Sequence, residues 1–211
     1  MSVVTIRGQL GSGAPEIGKL VAEKLNTDYV DREIIAKVTE LLNTMTEGII
    51  AKEMPPETFL GRIAEALGRY YATYEGVSLT QEISLDVSLD DTRYLAGLKS
   101  IIKELAESKS IVICGRGSEF ILKDYPRVLH VLVIAPLEIR LKRVMEDLNV
   151  NEGAAEKEIK RYDGSRREFI KRHFQAELED PINYDLVLNA EKLSFEAVSA
   201  IIVGALPFKA S

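Results

Sequence analysis

The chain opens with the stretch Val3-Val-Thr-Ile-Arg-Gly-Gln-Leu-Gly-Ser-Gly-Ala-Pro15. Its β-branched start predicts a strand and its three glycines predict a turn. The residues after the turn follow helical spacing, with apolar positions at Ile17, Leu20, Val21 and Leu25. Glycines let the backbone approach a ligand closely, so that successive N–H groups and a helix N-terminus converge on an anion. The stretch therefore predicts a strand, a phosphate-binding turn and a helix.

The turn departs from the common nucleotide-binding loop pattern at two positions. Gly8 and Gly13 have the glycine spacing of that pattern, but Ala14 stands at its lysine position and Pro15 at its magnesium-binding hydroxyl position. Ser12 is the nearest remaining hydroxyl. The alternative interpretation is a tight strand-to-helix connection whose glycines only relieve steric strain.

Short apolar runs alternate with helical patterns through the rest of the chain. Further strands are predicted at 29–30, 111–114, 128–134 and 184–188, and helices at 33–42, 58–71, 91–107, 136–148, 153–173 and from 194 onward. The runs 111–114 and 128–134 are nearly continuous in apolar residues, which is typical of central strands covered on both faces. We therefore expect an α/β fold with a doubly wound parallel sheet of about five strands.

The composition of the chain argues against some classes of function. The 211 residues are 46% hydrophobic and carry a net charge of −6 without a basic face, which argues against nucleic acid and anionic membranes as partners. Neither a signal peptide nor an apolar stretch of membrane-spanning length is recognisable, so we expect a cytoplasmic protein. The single cysteine, Cys114, lies in an apolar run and is expected to be a reduced, buried thiol.

Several segments together resemble the cytidylate kinase-like family, a divergent branch of the P-loop nucleoside monophosphate kinases. These segments are GSGAPEIG (11–18), AEKL (22–25), YVDREI (29–34), ICGRG (113–117), PLEIRLKRV (136–144), DPINYDLVLN (180–189) and Leu193-Ser194. The resemblance covers nearly the whole chain and implies a single P-loop kinase-like domain. Its parts would be a core at 1–42, 98–150 and 178–211, a helical acceptor-binding region at 43–97 and a helical lid at 151–177.

The resemblance implies transfer of the γ-phosphate of ATP, with Mg²⁺, to CMP or a related nucleoside monophosphate. The cofactor-binding residues that it implies are Gly8, Gly11, Ser12, Gly13, Ala14, Arg143 and Arg172. The substrate-binding residues are Asp31, Arg32 and Arg116, and the catalytic residues are Arg116, Arg161, Arg166 and Arg167. It identifies no metal ligand.

The residues themselves leave an alternative open for each of these roles. Arg116 follows strand 111–114 at the carboxyl edge of the sheet, where it could clamp a phosphate or be an ordinary loop charge. Asp31 could contact the acceptor or simply cap the next helix. The arginines of 151–177 could neutralise phosphate charge, which carries most of phosphoryl-transfer catalysis, or pair with glutamates of their own helix.

Two other functions compete with a nucleotide kinase. A catalytically weak or inactive nucleotide-binding protein, acting as a sensor or scaffold, would explain the missing loop lysine and hydroxyl, and a non-nucleotide acceptor is a third possibility. The histidines suggest no chemistry: His130 is expected to pack in its strand, and His173 to extend the charged helix. A homodimer could form through the apolar positions of the 58–71 helix, Phe59, Ile63, Leu67 and Tyr71, but core packing is the favoured interpretation, because helical apolar stripes are usually buried internally.

Overall fold

The computed structural model describes residues 2–31 and 91–208, without the side chains of 91–94. The predicted helices 33–42 and 58–71, residue Arg32 and the four apolar positions of the 58–71 helix lie outside the described residues. The chain forms two compact units, one of Met1–Tyr29 with Ser110–Ser211 and one of Val30–Lys109. Every element described below lies in the larger unit, except the helix Asp91–Ser108 and the last residue of the strand Asp28–Val30. The division into core, acceptor region and lid stays a prediction.

Five strands form one sheet in the order β2-β3-β1-β4-β5. They are β1 (Val3–Gly8), β2 (Asp28–Val30), β3 (Ile111–Cys114), β4 (Val128–Ile134) and β5 (Leu186–Asn189). The pairs of β1 with β3, β1 with β4 and β4 with β5 are all parallel. The predicted fold class, a parallel α/β sheet of about five strands, is confirmed.

The helices, labelled in order through the described residues, are α1 (Ala14–Lys24), α2 (Asp91–Ser108), α3 (Ser118–Ile121), α4 (Leu137–Leu148), α5 (Glu152–Phe174) and α6 (Phe195–Ala205). Short 3₁₀ turns occupy Pro181–Asn183 and Leu206–Phe208. Most of these bounds lie within one residue of the predicted ones. The strand predicted at 184–188 begins later, at Leu186, because the Tyr184 amide still donates to the Pro181 carbonyl of the preceding turn at 3.1 Å. His173 lies in the last turn of α5, as predicted.

The two faces of β1 differ in chemistry. Val4 and Ile6 belong to the main apolar cluster, where they pack with residues of α1 and α6. On the opposite face the buried Thr5 hydroxyl and the buried His130 ring are joined at 2.7 Å between Oγ1 and Nδ1. The prediction that His130 is packed in its strand is therefore confirmed.

One expectation, that the Cys114 thiol is buried, is wrong. Cys114 is half-buried instead of buried, because it is the last residue of β3 and lies where the strand leaves the core. Among the described helices, none combines the length and the apolar composition that crossing a membrane requires.

Candidate active site

The glycine turn leaves the carboxyl end of β1 with the backbone shape that an anion site requires. Gly11 and Gly13 have φ angles of 77° and 87°, in the left-handed region, and the Ser12 amide closes the turn on the Gln9 carbonyl at 3.0 Å. Gly13 is also the N-cap of α1 and has no side chain to satisfy the first-turn amides. These donors and the positive end of the helix dipole therefore face the turn.

Space inside the turn is too tight for larger residues. A β-carbon on Gly8 would collide with the side chains of Ala14 and Ser12. The Ser12 side chain is fully buried, and its Oγ has no hydrogen-bond partner. Leaving a buried hydroxyl unsatisfied costs about 1–3 kcal/mol, and a phosphate oxygen would remove that cost. The turn therefore fits the phosphates of a nucleotide.

Nothing in the described residues identifies a metal ligand. No group of three or more His, Cys, Asp or Glu side chains among them could hold a metal ion. Magnesium in phosphoryl-transfer sites is commonly held by only one or two carboxylates, with phosphates and water completing its octahedron. The described residues are therefore compatible with a metal held mainly by the nucleotide, but they do not identify a protein ligand for it.

Arg143 of α4 binds backbone carbonyls on the outer side of the glycine turn. Its Nη1 donates to the carbonyls of Gly11 and Ser12 at 3.2 and 3.1 Å, and its Nη2 donates to the Ala190 carbonyl at 2.8 Å. Its guanidinium also lies 4.9 Å from the ring centroid of Phe195. Because the N–H of a peptide points away from its carbonyl, holding the Ser12 carbonyl outward turns the Gly13 amide inward, whereas the Ser12 amide is already bound to the Gln9 carbonyl. Contact between Arg143 and a nucleotide stays a prediction.

Arg116 lies in an unusual turn at the same edge of the sheet. Gly115, Arg116 and Gly117 all have left-handed backbones, with φ of 76°, 62° and 66°. For arginine this conformation costs about 1–2 kcal/mol. The Gly115 amide donates to the Ile6 carbonyl at 2.9 Å. The Arg116 turn follows β3 and the glycine turn follows β1. Since these strands are parallel neighbours, the two turns lie at the same edge of the sheet.

A buried ionisable group that the sequence did not single out lies just after the Arg116 turn. Glu119 is only 2% exposed, and neither carboxyl oxygen has a hydrogen-bond partner of ordinary geometry. Burial raises the pKa of Glu119, while the charge of the buried Arg7 and weaker polar contacts with the Glu119 backbone and with Ser118 oppose the rise. Burial also raises the pKa of Tyr184, with the charge of Glu119 adding to the effect. In the sequence, Glu119 resembles an ordinary helix charge, so no pattern could have revealed this group.

The segment predicted as a lid forms the single helix α5, which links the two turns. Asp163 is buried beside the glycine turn, where its Oδ1 accepts from the Leu10 amide at 3.1 Å. Two helical turns later, Ile170 packs at Gly117, where a β-carbon would lie 3.3 Å from Ile170 Cδ1. Residues seven apart share one face of a helix, so this face runs from the glycine turn to the Arg116 turn.

The four arginines predicted to act from α5 lie in different surroundings. Arg161, Arg172 and Arg167 form exposed ion pairs, with Glu158 at 2.5 Å, Glu168 at 2.7 Å and Glu179 at 3.1 Å, respectively. Arg166 is three residues after Asp163 and four before Ile170, on the face that links the turns, with its guanidinium 3.4 Å from the Tyr162 ring centroid. Asp31, predicted near the acceptor, belongs to the unit Val30–Lys109.

Comparison with known proteins gives consistent results. The model of the cytidylate kinase-like family matches residues 3–192. The cytidylate kinase of Methanocaldococcus jannaschii is 25% identical over 206 residues, covering 97% of both chains. The cytidylate kinase of Staphylothermus marinus is 29% identical over 206 residues, covering 96% of this chain and 94% of that one.

Solved structures share the fold at low sequence identity. An uncharacterised protein from Eubacterium ventriosum has a TM-score of 0.65 at 19% identity, covering 98% of this chain and 99% of its own. A shikimate kinase from Acinetobacter baumannii, in complex with shikimate, has a TM-score of 0.50 at 15% identity, covering 99% and 94%. At these identities the likeness concerns the fold alone.

Proposed function

This chain belongs to the cytidylate kinase-like family, and we propose that it transfers the γ-phosphoryl group of ATP, with Mg²⁺, to CMP or a related nucleoside monophosphate. The observation that carries the proposal is the glycine turn at Gly8–Gly13, with its left-handed glycines, uncapped helix N-terminus and partnerless Ser12 hydroxyl. Full-length similarity to cytidylate kinases supports the choice of acceptor.

In this proposal the glycine turn binds the donor phosphates, and Arg116 clamps the phosphate of the acceptor. Asp31 and Arg32 contact the acceptor nucleotide. ATP supplies the phosphoryl group, and Mg²⁺ neutralises part of its charge. Phosphoryl transfer requires mainly positioning and cationic stabilisation from the protein, and arginines provide both through bidentate hydrogen bonds.

The lid arginines would replace the charge that Ala14 lacks. Arg166 is the first candidate because its helix face spans the two turns, and Arg167, Arg161 and Arg172 follow. The last three would exchange a carboxylate partner for phosphate oxygens. Because exposed ion pairs are weakened by water and salt, this exchange is energetically easy.

Nucleotide binding without turnover is the second candidate function. It is favoured by one observation: Ala14 is 2% exposed and part of the apolar core, so the first turn of α1 brings no cation to the phosphates. A sensor or scaffold would use the phosphate-binding backbone alone.

Product formation separates the two candidates. The purified chain is incubated with ATP, Mg²⁺ and each nucleoside monophosphate, and nucleoside diphosphates are quantified beside a thermal-shift titration with the same ligands. Formation of CDP that is lost in Arg116→Ala supports the kinase. The matched control is Arg127→Ala, because Arg127 has the same φ of 62° but is exposed and precedes β4 at the opposite edge of the sheet. A melting-temperature rise without any diphosphate would overturn the kinase in favour of the binding protein.

A further inference from the structure

Leu10, at the apex of the glycine turn, is held by side chains from two helices. Its amide donates to Oδ1 of Asp163 at 3.1 Å, and its carbonyl accepts from Nη1 of Arg140 at 3.2 Å. The same Nη1 atom contacts Oδ2 of Asp163 at 2.6 Å. The three contacts close a ring in which both backbone groups of Leu10 are bound by one buried ion pair.

The ring is enclosed by protein. The side chains of Arg140 and Asp163 are only 9% and 3% exposed. The Leu10 side chain packs against an apolar cluster of α4 and α5 formed by Val144, Ala155 and Ile159. Gly11 lies against the backbone of α4, where a β-carbon would be 2.7 Å from the Arg140 carbonyl. The apex of the turn therefore cannot move without disturbing the contact between α4 and α5.

A buried ion pair is weak evidence for a role in stability, because desolvation of the two charges offsets most of their attraction. This pair does something more specific. By holding the Leu10 amide and carbonyl outward, it removes the freedom of the apex peptides to rotate. A turn that is already in its binding shape loses less conformational entropy when an anion binds.

We propose that Asp163 and Arg140 are positioning residues that preset the shape of the phosphate-binding turn and make donor affinity depend on the docking of α5. The proposal rests on the proposed binding of ATP by that turn. Arg166 follows Asp163 by less than one helical turn of α5. The carboxylate that binds the turn therefore also fixes the position of Arg166 along the helix.

Two substitutions at residue 163 separate positioning from plain stability. Asp163→Asn keeps an oxygen that can accept from the Leu10 amide but removes the charge opposite Arg140. Asp163→Ala removes both. Each variant leaves Arg140 buried without a carboxylate, so each lowers the melting temperature, whereas only Asp163→Ala releases the Leu10 amide.

The affinities of the full-length protein for ATP with Mg²⁺ and for CMP are measured by calorimetry, well below the lowest melting temperature. We expect Asp163→Ala to weaken ATP binding by about tenfold or more, the equivalent of one lost charge-assisted hydrogen bond. Asp163→Asn should stay within about threefold of the wild type, and CMP affinity should change little in either variant. Amide exchange followed by NMR should accelerate at Leu10 in Asp163→Ala only.

Equal losses of ATP affinity in both variants, in step with their melting temperatures, would overturn the proposal, as would full ATP affinity in Asp163→Ala. Should Asp163→Ala fail to fold, the double variant Arg140→Ala with Asp163→Ala removes both buried charges together and leaves neither alone. Its ATP affinity should fall equally, and wild-type affinity would refute positioning. Absence of ATP binding to the wild type would refute the proposed function itself, whatever the Leu10 amide does.

Discussion

The ring of Phe195, at the start of α6, covers Gly13 so closely that a β-carbon on residue 13 would overlap the ring. Gly13 also has a φ of 87°, in the region that side chains disfavour. Two independent requirements, a left-handed backbone and a neighbouring ring, therefore make residue 13 a glycine. Phe195 in turn stacks with Arg143, which holds the carbonyls of the same turn.

Gly13→Ala should destabilise the protein by at least about 1–2 kcal/mol from backbone strain alone, and displacement of the Phe195 ring adds to this. Thermal or urea unfolding measures the loss. The matched control is Gly204→Ala in α6, where a β-carbon meets nothing within 4 Å. That control should be stabilised by about 0.5–1 kcal/mol, because alanine favours helix more than glycine does. Equal behaviour of the two variants would contradict the role of the ring and the backbone at residue 13.

Arg143→Lys should weaken ATP binding nearly as much as Arg143→Ala. A planar guanidinium can bind the carbonyls of Gly11, Ser12 and Ala190 at once, whereas one ammonium group cannot span them. The affinity of both variants for ATP with Mg²⁺ is measured by calorimetry. If Arg143 acted only as a charge near the phosphates, Arg143→Lys would bind ATP as well as the wild type does. That result would contradict a role of Arg143 in holding the backbone carbonyls of the turn.

The sequence predicts the elements of the sheet well, because β1, β3 and β4 are continuous apolar runs and the glycines mark the turn after β1. It also predicts which turns hold candidate residues, since the carboxyl ends of parallel strands share one edge. Ser194 illustrates the local success: a helix is predicted from 194 onward, and the Ser194 hydroxyl caps it by accepting from the Ala197 amide at 3.2 Å.

Partners distant in sequence could not be predicted in the same way. Asp163 is one acid in a helix crowded with charges, and only the packing of α5 on α4 brings it to Leu10, 153 residues away. Arg143 matches the family pattern, but the sequence cannot say whether its guanidinium meets a ligand or a backbone carbonyl. Burial of Glu119 depends likewise on tertiary packing. A helical pattern tells on which face of the helix a residue lies, but not which residue of another element it contacts.

Glu119→Gln should raise the melting temperature at neutral pH. The pKa of Glu119 is raised by burial above its ordinary value of 4.5, so the folded chain holds its proton more tightly than the unfolded chain does. The favourable contribution of this carboxyl is therefore complete below 4.5 and is lost as pH rises through the folded-state pKa. Glutamine stays neutral throughout.

The measurement is thermal unfolding of both proteins from pH 4.5 to 8. The advantage of Glu119→Gln should grow with pH over this range and shrink toward the acidic end. Glu119 faces Arg7 and Tyr184, so Tyr184→Phe serves as a control for the neighbouring hydroxyl. A constant difference between the two proteins at all pH values would show that Glu119 does not titrate in this range.

Arg166→Ala should lower kcat for diphosphate formation on the order of a hundredfold, as expected when one positioned donor to transition-state charge is removed. The control is Lys160→Ala, which removes an exposed charge of α5 that pairs with Glu156 at 2.8 Å. Steady-state kinetics with ATP and CMP measure both variants. A greater loss in Arg161→Ala than in Arg166→Ala would contradict the assignment by helix face, because Arg161 pairs with Glu158 of its own helix.

Ala14→Lys should raise kcat about tenfold by restoring a cation at the start of α1, where phosphate charge develops. Residue 14 is 2% exposed and adjoins Gly8, so the longer side chain also lowers the melting temperature. Ala14→Met is the matched control, because it adds similar length without charge. Steady-state kinetics and thermal unfolding are measured for both. If the lysine variant is no faster than the wild type, a cation such as Arg166 already neutralises the donor phosphates, and a second one brings only crowding. If Ala14→Met accelerates the reaction as much as Ala14→Lys does, the positive charge at residue 14 is not the cause of the higher rate.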